Sequence, residues 1–219
     1  MGSRTCPGWA TKRSKRLGRR VKLAQAAQRT GWPVTGGGEA SDHADALGDH
    51  GHIQKWTMYD SVLRVPLIFW SKNLLVPGRL CRDLVQLIDI APTILQAAEL
   101  PVPPDFEARS LWGALKHDEA LAPRDAVYAE VARDHVQTGA EFIVMRRCRD
   151  WKLVVYLDDD DGELYDLQAD PGESNNLWHR LDIRERRDRM IAETLKWTIS
   201  GSLKANLRAG RAPQKAMAT

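Results

Sequence analysis

The stretch Ser41-Asp42-His43-Ala44-Asp45-Ala46-Leu47-Gly48-Asp49-His50-Gly51, with Lys55 close behind it, decides how this chain reads. It crowds carboxylates and imidazoles into a glycine-punctuated loop and sets one ammonium just past it. Asp42 offers a hard oxygen and adjacent His43 an imidazole nitrogen, a pairing that suits a divalent ion. Lys55 stands where it can hold an anionic substrate that such an ion polarises. An isolated Asp-His pair is an ordinary turn; the residues around this one point to a charged reaction centre.

Downstream, Val62–Trp70 is β-branched and aromatic and reads as a strand, with Pro66 where a ladder donor is dispensable. Leu84–Ile88 reads as a second buried run. Asp89 stands where a helix N-cap belongs, and Pro92 falls in the first turn. Ile94, Leu95 and Ala98 then form a buried stripe, and Pro101, Pro103 and Pro104 end the helix. Strand–helix alternation of this sort predicts an α/β layer. After a loop over 101–125, Phe142–Arg146, Lys152–Leu157 and Glu163–Leu167 read as three short strands. Asp158-Asp159-Asp160-Asp161-Gly162 makes the hairpin tip between the last two, with Gly162 free to take a positive φ. A calcium EF-hand fails there, because it needs an aspartate at Leu157 and a glutamate at Gln168. Ile183–Ile199 places Ile183, Met190, Ile191, Leu195 and Ile199 on one helical face. The tail over 200–219 has little to bury and reads as frayed.

The loop resembles the sulfatase family of the alkaline phosphatase-like superfamily, in which S-D-H-G-[DE]-x-L-G-D-H-G precedes a lysine. The resemblance continues in register through Arg64-Val65-Pro66-Leu67, Asp89-Ile90-Ala91-Pro92-Thr93 and Gly113-Ala114-Leu115. It ends with Glu163-Leu164-Tyr165-Asp166-Leu167, Asp170-Pro171-Gly172-Glu173 and Asn175-Asn176-Leu177. It thus runs from about 41 to 180 and corresponds to the C-terminal part of the family's longer chains. It implies an α/β fold: a partial alkaline phosphatase-like sheet-and-helix layer over 41–125, then a small antiparallel sheet with a C-terminal helix over 126–199.

The activity this resemblance implies is metal-dependent hydrolysis of sulfate esters, with phosphate and phosphonate monoester hydrolases as near relatives. By motif, Asp42 and His43 are the implied ligands of a divalent metal, Ca2+ first and Mn2+ or Mg2+ next. Lys55 is the implied sulfate contact, and His50 the implied support of the loop through hydrogen bonds. The implied substrate is a sulfated small molecule or sugar. Ala44 replaces the family's glycine, where a Cβ costs about 1 kcal/mol or more if the position needs a positive φ or a close backbone approach. The family's nucleophile, a formylglycine made from C/S-x-P-x-R, has no counterpart here. Cys6-Pro7-Gly8-Trp9-Ala10 comes nearest, with its proline one position early and Ala10 in place of arginine. The expectation is a truncated sulfatase-family protein, inactive or weakly active alone. The alternative is a non-catalytic binding remnant. Asp166, Asp170, Glu173, Asn175 and Asn176 read as turn and strand structure.

Charge is distributed unevenly behind a net +3. Residues 1–39 hold nine Lys/Arg against Glu39 alone, and 184–219 hold nine against three acids. Fourteen bases and twenty-five acids are left for 40–183, an acidic centre between basic ends. Residues 1–40 read as a disordered or out-of-frame basic leader unrelated to the family. A nucleic-acid arm is the lesser reading, and nucleic acid is not an expected partner. Gly36-Gly37-Gly38 stands where relatives run a strand into the loop, and triple glycine is poor strand material. Three scattered cysteines (Cys6, Cys81, Cys148) make no disulfide framework, which points to a reducing compartment. No signal-peptide core and no run of roughly eighteen apolar residues is present, so the expectation is a cytoplasmic chain without a membrane partner. The oligomeric state is left open. The eight tryptophans are dispersed, which suits packing better than a sugar-stacking platform.

Overall fold

In the computed structural model the described residues are 36–132, 139–157 and 159–209. The leader up to residue 35, Cys6, Asp158 and the tail from 210 lie outside them. Strand β1 (Gly36–Ala40) leads into the loop, and a short hairpin, β2 (Ala46–Leu47) and β3 (Ile53–Gln54), follows. A single helical turn, α1 (Asp60–Leu63), and strand β4 (Leu67–Ser71) come next. β1 and β4 pair antiparallel, with Gly37 opposite Trp70 and Gly38 opposite Phe69. This corrects the reading of the triple glycine as poor strand material. A Cβ on Gly37 would stand 2.7 Å from the Trp70 indole nitrogen, and one on Gly36 3.0 Å from the Trp70 carbonyl oxygen. The bare backbone of β1 makes room for an aromatic ring laid across it. The end of the stretch read as leader therefore pairs with the α/β part. β4 is also shorter than the expected Val62–Trp70: Val62 falls in α1, and Pro66 just precedes the strand, where its missing N–H removes no ladder bond.

Leu84–Ile88 is not a buried strand. A 3-10 turn over Leu87–Asp89 swings Leu87 and Ile88 into solvent and brings Asp89 inside, fully buried. Asp89 precedes helix α2 (Ile90–Ala97) without capping it through its side chain. Its carboxylate instead accepts the N–H of Gln86 at 2.9 Å and of Arg109 at 3.0 Å. The same carboxylate takes two Arg124 donors at 2.6 and 2.8 Å. Helix α3 (Trp112–His117) lies in the stretch expected to be loop. It docks on α2 through the Leu111 N–H, which donates to the buried Thr93 hydroxyl at 2.8 Å.

Four antiparallel strands in chain order make the larger sheet: β5 (Val127–Ala132), β6 (Phe142–Arg147), β7 (Trp151–Tyr156) and β8 (Gly162–Asp166). β6 to β8 match the expected strands to within a residue or two, and β5 is additional. Both faces are covered. Ile143, Met145 and Val154 pack with Met58, while Leu153 and Leu164 pack with Trp178 and Met190. Double coverage turns the usual polar–apolar alternation into the apolar runs of β6 and β7. In β8 it buries adjacent Leu164 and Tyr165, with Leu167 beyond the strand. Gly162 is required for closeness rather than for a positive φ, since a Cβ there would lie 2.6 Å from both the Trp178 ring and the Val154 carbonyl oxygen.

Helix α4 (Arg184–Ala209) closes the second face and runs on past Ile199 where fraying was expected. Met190 and Thr194 are its buried residues, and Leu195 and Ile199, expected on that face, are exposed. Trp197 stacks on Tyr128 with ring centroids 4.2 Å apart. Among the described residues no helix is long and apolar enough to cross a membrane.

Candidate functional site

The loop owes its shape to the β2–β3 hairpin. Ala46 pairs with Gln54 and Leu47 with Ile53, and the Gly48 N–H donates to the His52 carbonyl at 3.0 Å. Gly48 and Gly51 take φ of 108° and 76°, which L-residues rarely adopt. His50 adopts a left-handed φ of 53° between them. Ala44 is not among the positive-φ residues, so its Cβ meets no left-handed backbone strain. Its N–H donates to the Val62 carbonyl at 2.8 Å, which ties the loop to α1.

The hairpin brings Lys55 back to His43, with the Lys55 ammonium 3.1 Å from His43 Nε2. His43 Nδ1 lies 2.9 Å from the Ala44 carbonyl oxygen, which can only accept. Nδ1 therefore carries the proton and Nε2 presents its lone pair to Lys55. Asp42 Oδ2 is 3.9 Å from the same nitrogen, on an exposed side chain. A backbone N–H of its own residue holds the Asp42 carboxyl below the usual value, with the His43 backbone N–H and the Lys55 ammonium adding to the effect. Asp42, His43 and Lys55 thus converge.

The donor set can be weighed against a metal. Calcium takes six to eight oxygens. Asp42 and His43 supply one carboxylate and one nitrogen, and that nitrogen already faces an ammonium. Among the described residues no group of three or more His, Cys, Asp or Glu is placed to hold an ion. The pair suits two corners of a metal site and does not close one.

His50, expected to support the loop through hydrogen bonds, has its ring stacked on Tyr59, centroids 3.7 Å apart and planes 3° from parallel. The next residue is anchored across the molecule: the Asp60 N–H donates to Glu173 Oε2 at 2.6 Å. Lys152, fully buried in β7, bridges Glu173 Oε1 at 2.6 Å and Asp60 Oδ1 at 3.1 Å. Arg147 Nε lies 3.3 Å from both Asp60 carboxylate oxygens. Glu173 is thus structural, as expected, but what it positions is the segment behind the loop. Lys152 and Tyr59 were not singled out in the sequence, and the one available signal was a lone lysine inside an apolar strand. A larger cleft of about 650 Å3 lies elsewhere, lined by Arg146, Cys148, Trp151, Arg186 and Glu193 among others, and includes no loop residue.

A family model described as "N-sulphoglucosamine sulphohydrolase, C-terminal" matches residues 48–199. The chain belongs to the sulfatase family, through the C-terminal part of that family's fold. It is 32% identical over 157 residues to an N-acetylglucosamine-6-O-sulfatase of Bacteroides thetaiotaomicron, covering 69% of this chain and 28% of that protein. An arylsulfatase of Clostridium perfringens is 27% identical over 151 residues, covering 68% of this chain and 30% of its own length. One similar solved structure is of a protein in complex with its substrate, D-glucosamine-2-N,6-O-disulfate. It superposes with a TM-score of 0.65 at 25% identity, covering 82% of this chain and 35% of that one. The chain therefore spans less than a third of the length of these two curated relatives.

Proposed function

We propose that this chain carries part of the reaction centre of a sulfuric ester hydrolase. In this reading Asp42 and His43 contribute ligands to a divalent ion, calcium foremost, and Lys55 binds the sulfate of a sulfated small molecule or sugar. The carrying observation is the convergence of the Lys55 ammonium, His43 Nε2 and the Asp42 carboxylate on one loop. A bound divalent ion would withdraw charge from the sulfuryl oxygens. Lys55 would do the same from a fixed position, without reorganising during reaction. His43, with Nδ1 held on the Ala44 carbonyl, keeps Nε2 turned towards that centre. The 219 residues contain no C/S-x-P-x-R nucleophile motif, so by themselves they are inactive or nearly so.

The test is an NMR titration of the chain with inorganic sulfate and calcium. Sulfate should perturb Lys55 and His43, and Lys55→Ala should abolish the response. Calcium should perturb Asp42 and His43 only weakly. Sulfate binding that ignores Lys55→Ala overturns the assignment. Rapid metal-dependent cleavage of an aryl sulfate, lost in Lys55→Ala, overturns the predicted inactivity.

A further inference from the structure

The single turn α1 grips the loop beside the residues assigned to the ion and the sulfate. The Val62 carbonyl, in α1, accepts the Ala44 N–H at 2.8 Å. The carbonyl of that same alanine faces His43 Nδ1 at 2.9 Å, and Nε2 of the ring faces the Lys55 ammonium at 3.1 Å. Tyr59, the residue before α1, adds a second tie through its stack on His50. The position of α1 therefore sets how His43 and Lys55 meet.

α1 does not hold that position unaided. It has four residues, and a helix of one turn is too short to persist alone. The N–H of its first residue, Asp60, has no acceptor within the turn. Glu173 supplies one at 2.6 Å from 113 positions along the chain. That carboxylate is buried, and its other oxygen pairs with the fully buried Lys152 ammonium at 2.6 Å. A carboxylate at this depth is out of reach of a substrate. What it can do is hold a backbone.

We propose that Glu173 is a positioning residue for the sulfate site, acting through the Asp60 N–H, α1 and the Ala44 peptide on His43 and Lys55. The antiparallel sheet then does more than stabilise the chain, because it sets how tightly the loop takes sulfate. The inference rests on the assignment of Lys55 to the sulfate.

Inorganic sulfate is titrated by NMR into the 219-residue chain as wild type, Lys55→Ala, Met190→Ala and two double variants. The doubles are Glu173→Gln with Lys152→Met and Glu173→Ala with Lys152→Met. Lys152→Met removes the buried ammonium, so the doubles differ in the acceptor offered to the Asp60 N–H, which the glutamine carbonyl keeps and alanine lacks. The alanine double should bind sulfate about 3- to 10-fold more weakly than the glutamine double, the loss of one hydrogen bond. Ring 15N shifts of His43 in alkaline buffer should show the Nδ1-protonated tautomer in wild type and the glutamine double, and a mixture in the alanine double. Met190→Ala, which opens the core on the opposite face of the sheet from Met58, should lower the urea midpoint and leave both readouts unchanged. Glu173→Leu with Lys152→Met replaces the alanine double if that variant does not fold, since apolar side chains of similar volume can stand in for a buried ion pair. Equal sulfate affinity in the two doubles, with the response still dependent on Lys55, overturns the positioning role alone. An equal weakening in Met190→Ala also overturns it, by assigning the effect to lost stability. Sulfate binding that ignores Lys55→Ala overturns the proposed function and the positioning role with it.

Discussion

Gly162 and Trp178 show how much one missing Cβ decides. The indole packs against the β8 backbone where a side chain would stand, and its Nε1 donates to the Asp160 carbonyl at 3.3 Å. Gly162→Ala should lower stability by about 1–3 kcal/mol, the usual cost of overpacking a closed core, read from urea unfolding. Gly51→Ala meets no neighbour and should cost only about 1 kcal/mol, through its left-handed φ. At this scale the sequence was legible where chemistry is local. Asp42, His43 and Lys55 sit within one loop, and their residue types announce a charged centre. Lys152 and Asp60 are 92 positions apart, so each reads alone as a solvated surface charge.

Helix α2 and the turn before it are held by the pair Asp89–Arg124, with the carboxylate fully buried and the guanidinium nearly so. Burial pushes the Asp89 carboxyl up, but Arg124 and the N–H groups of Arg109 and Gln86 outweigh it and hold the carboxyl below its ordinary value. A carboxyl depressed by folding stabilises the native state above its unfolded pKa, about 3.9, and loses that contribution as pH falls through the folded value. Arg124→Ala should therefore cost about 3–5 kcal/mol at neutral pH, by leaving a buried charge unpaired. The gap to wild type should narrow as the pH falls below about 3.9, measured as urea midpoints across the acid range. Elements β6, β7 and β8 could be read from their short apolar runs and the aspartate-rich tip. The buried face of α4 could not, because Thr194 takes a core position where Leu195 was expected. Its hydroxyl donates to the Met190 carbonyl at 2.8 Å, so it is buried without an unmet bond.

Across the whole molecule, two charged side chains, Lys152 and Glu173, join α1, behind the Asp42–Lys55 loop, to the larger sheet. Glu173→Ala should leave the buried Lys152 ammonium with Asp60 as its one remaining carboxylate partner of the two and lower stability by about 3 kcal/mol. Adding Lys152→Met should recover part of that loss by removing the half-compensated buried charge. Urea unfolding of the single and double variants checks this, and equal losses in both would assign Glu173's effect to its bond with the Asp60 N–H alone. The family and the broad fold were legible because the matching motifs recur in order along the chain. The anchoring of one half on the other was not, because no local pattern encodes a contact that spans most of the polypeptide. The Asp60–Glu173 bond closes a separation of 113 positions, and long-range closures of this kind form late. On a ribosome, the loop would emerge well before the glutamate that fastens it has been made. Its final geometry must wait for the distal turn, so a stalled nascent chain would expose the Asp42–Lys55 loop in an unfastened form.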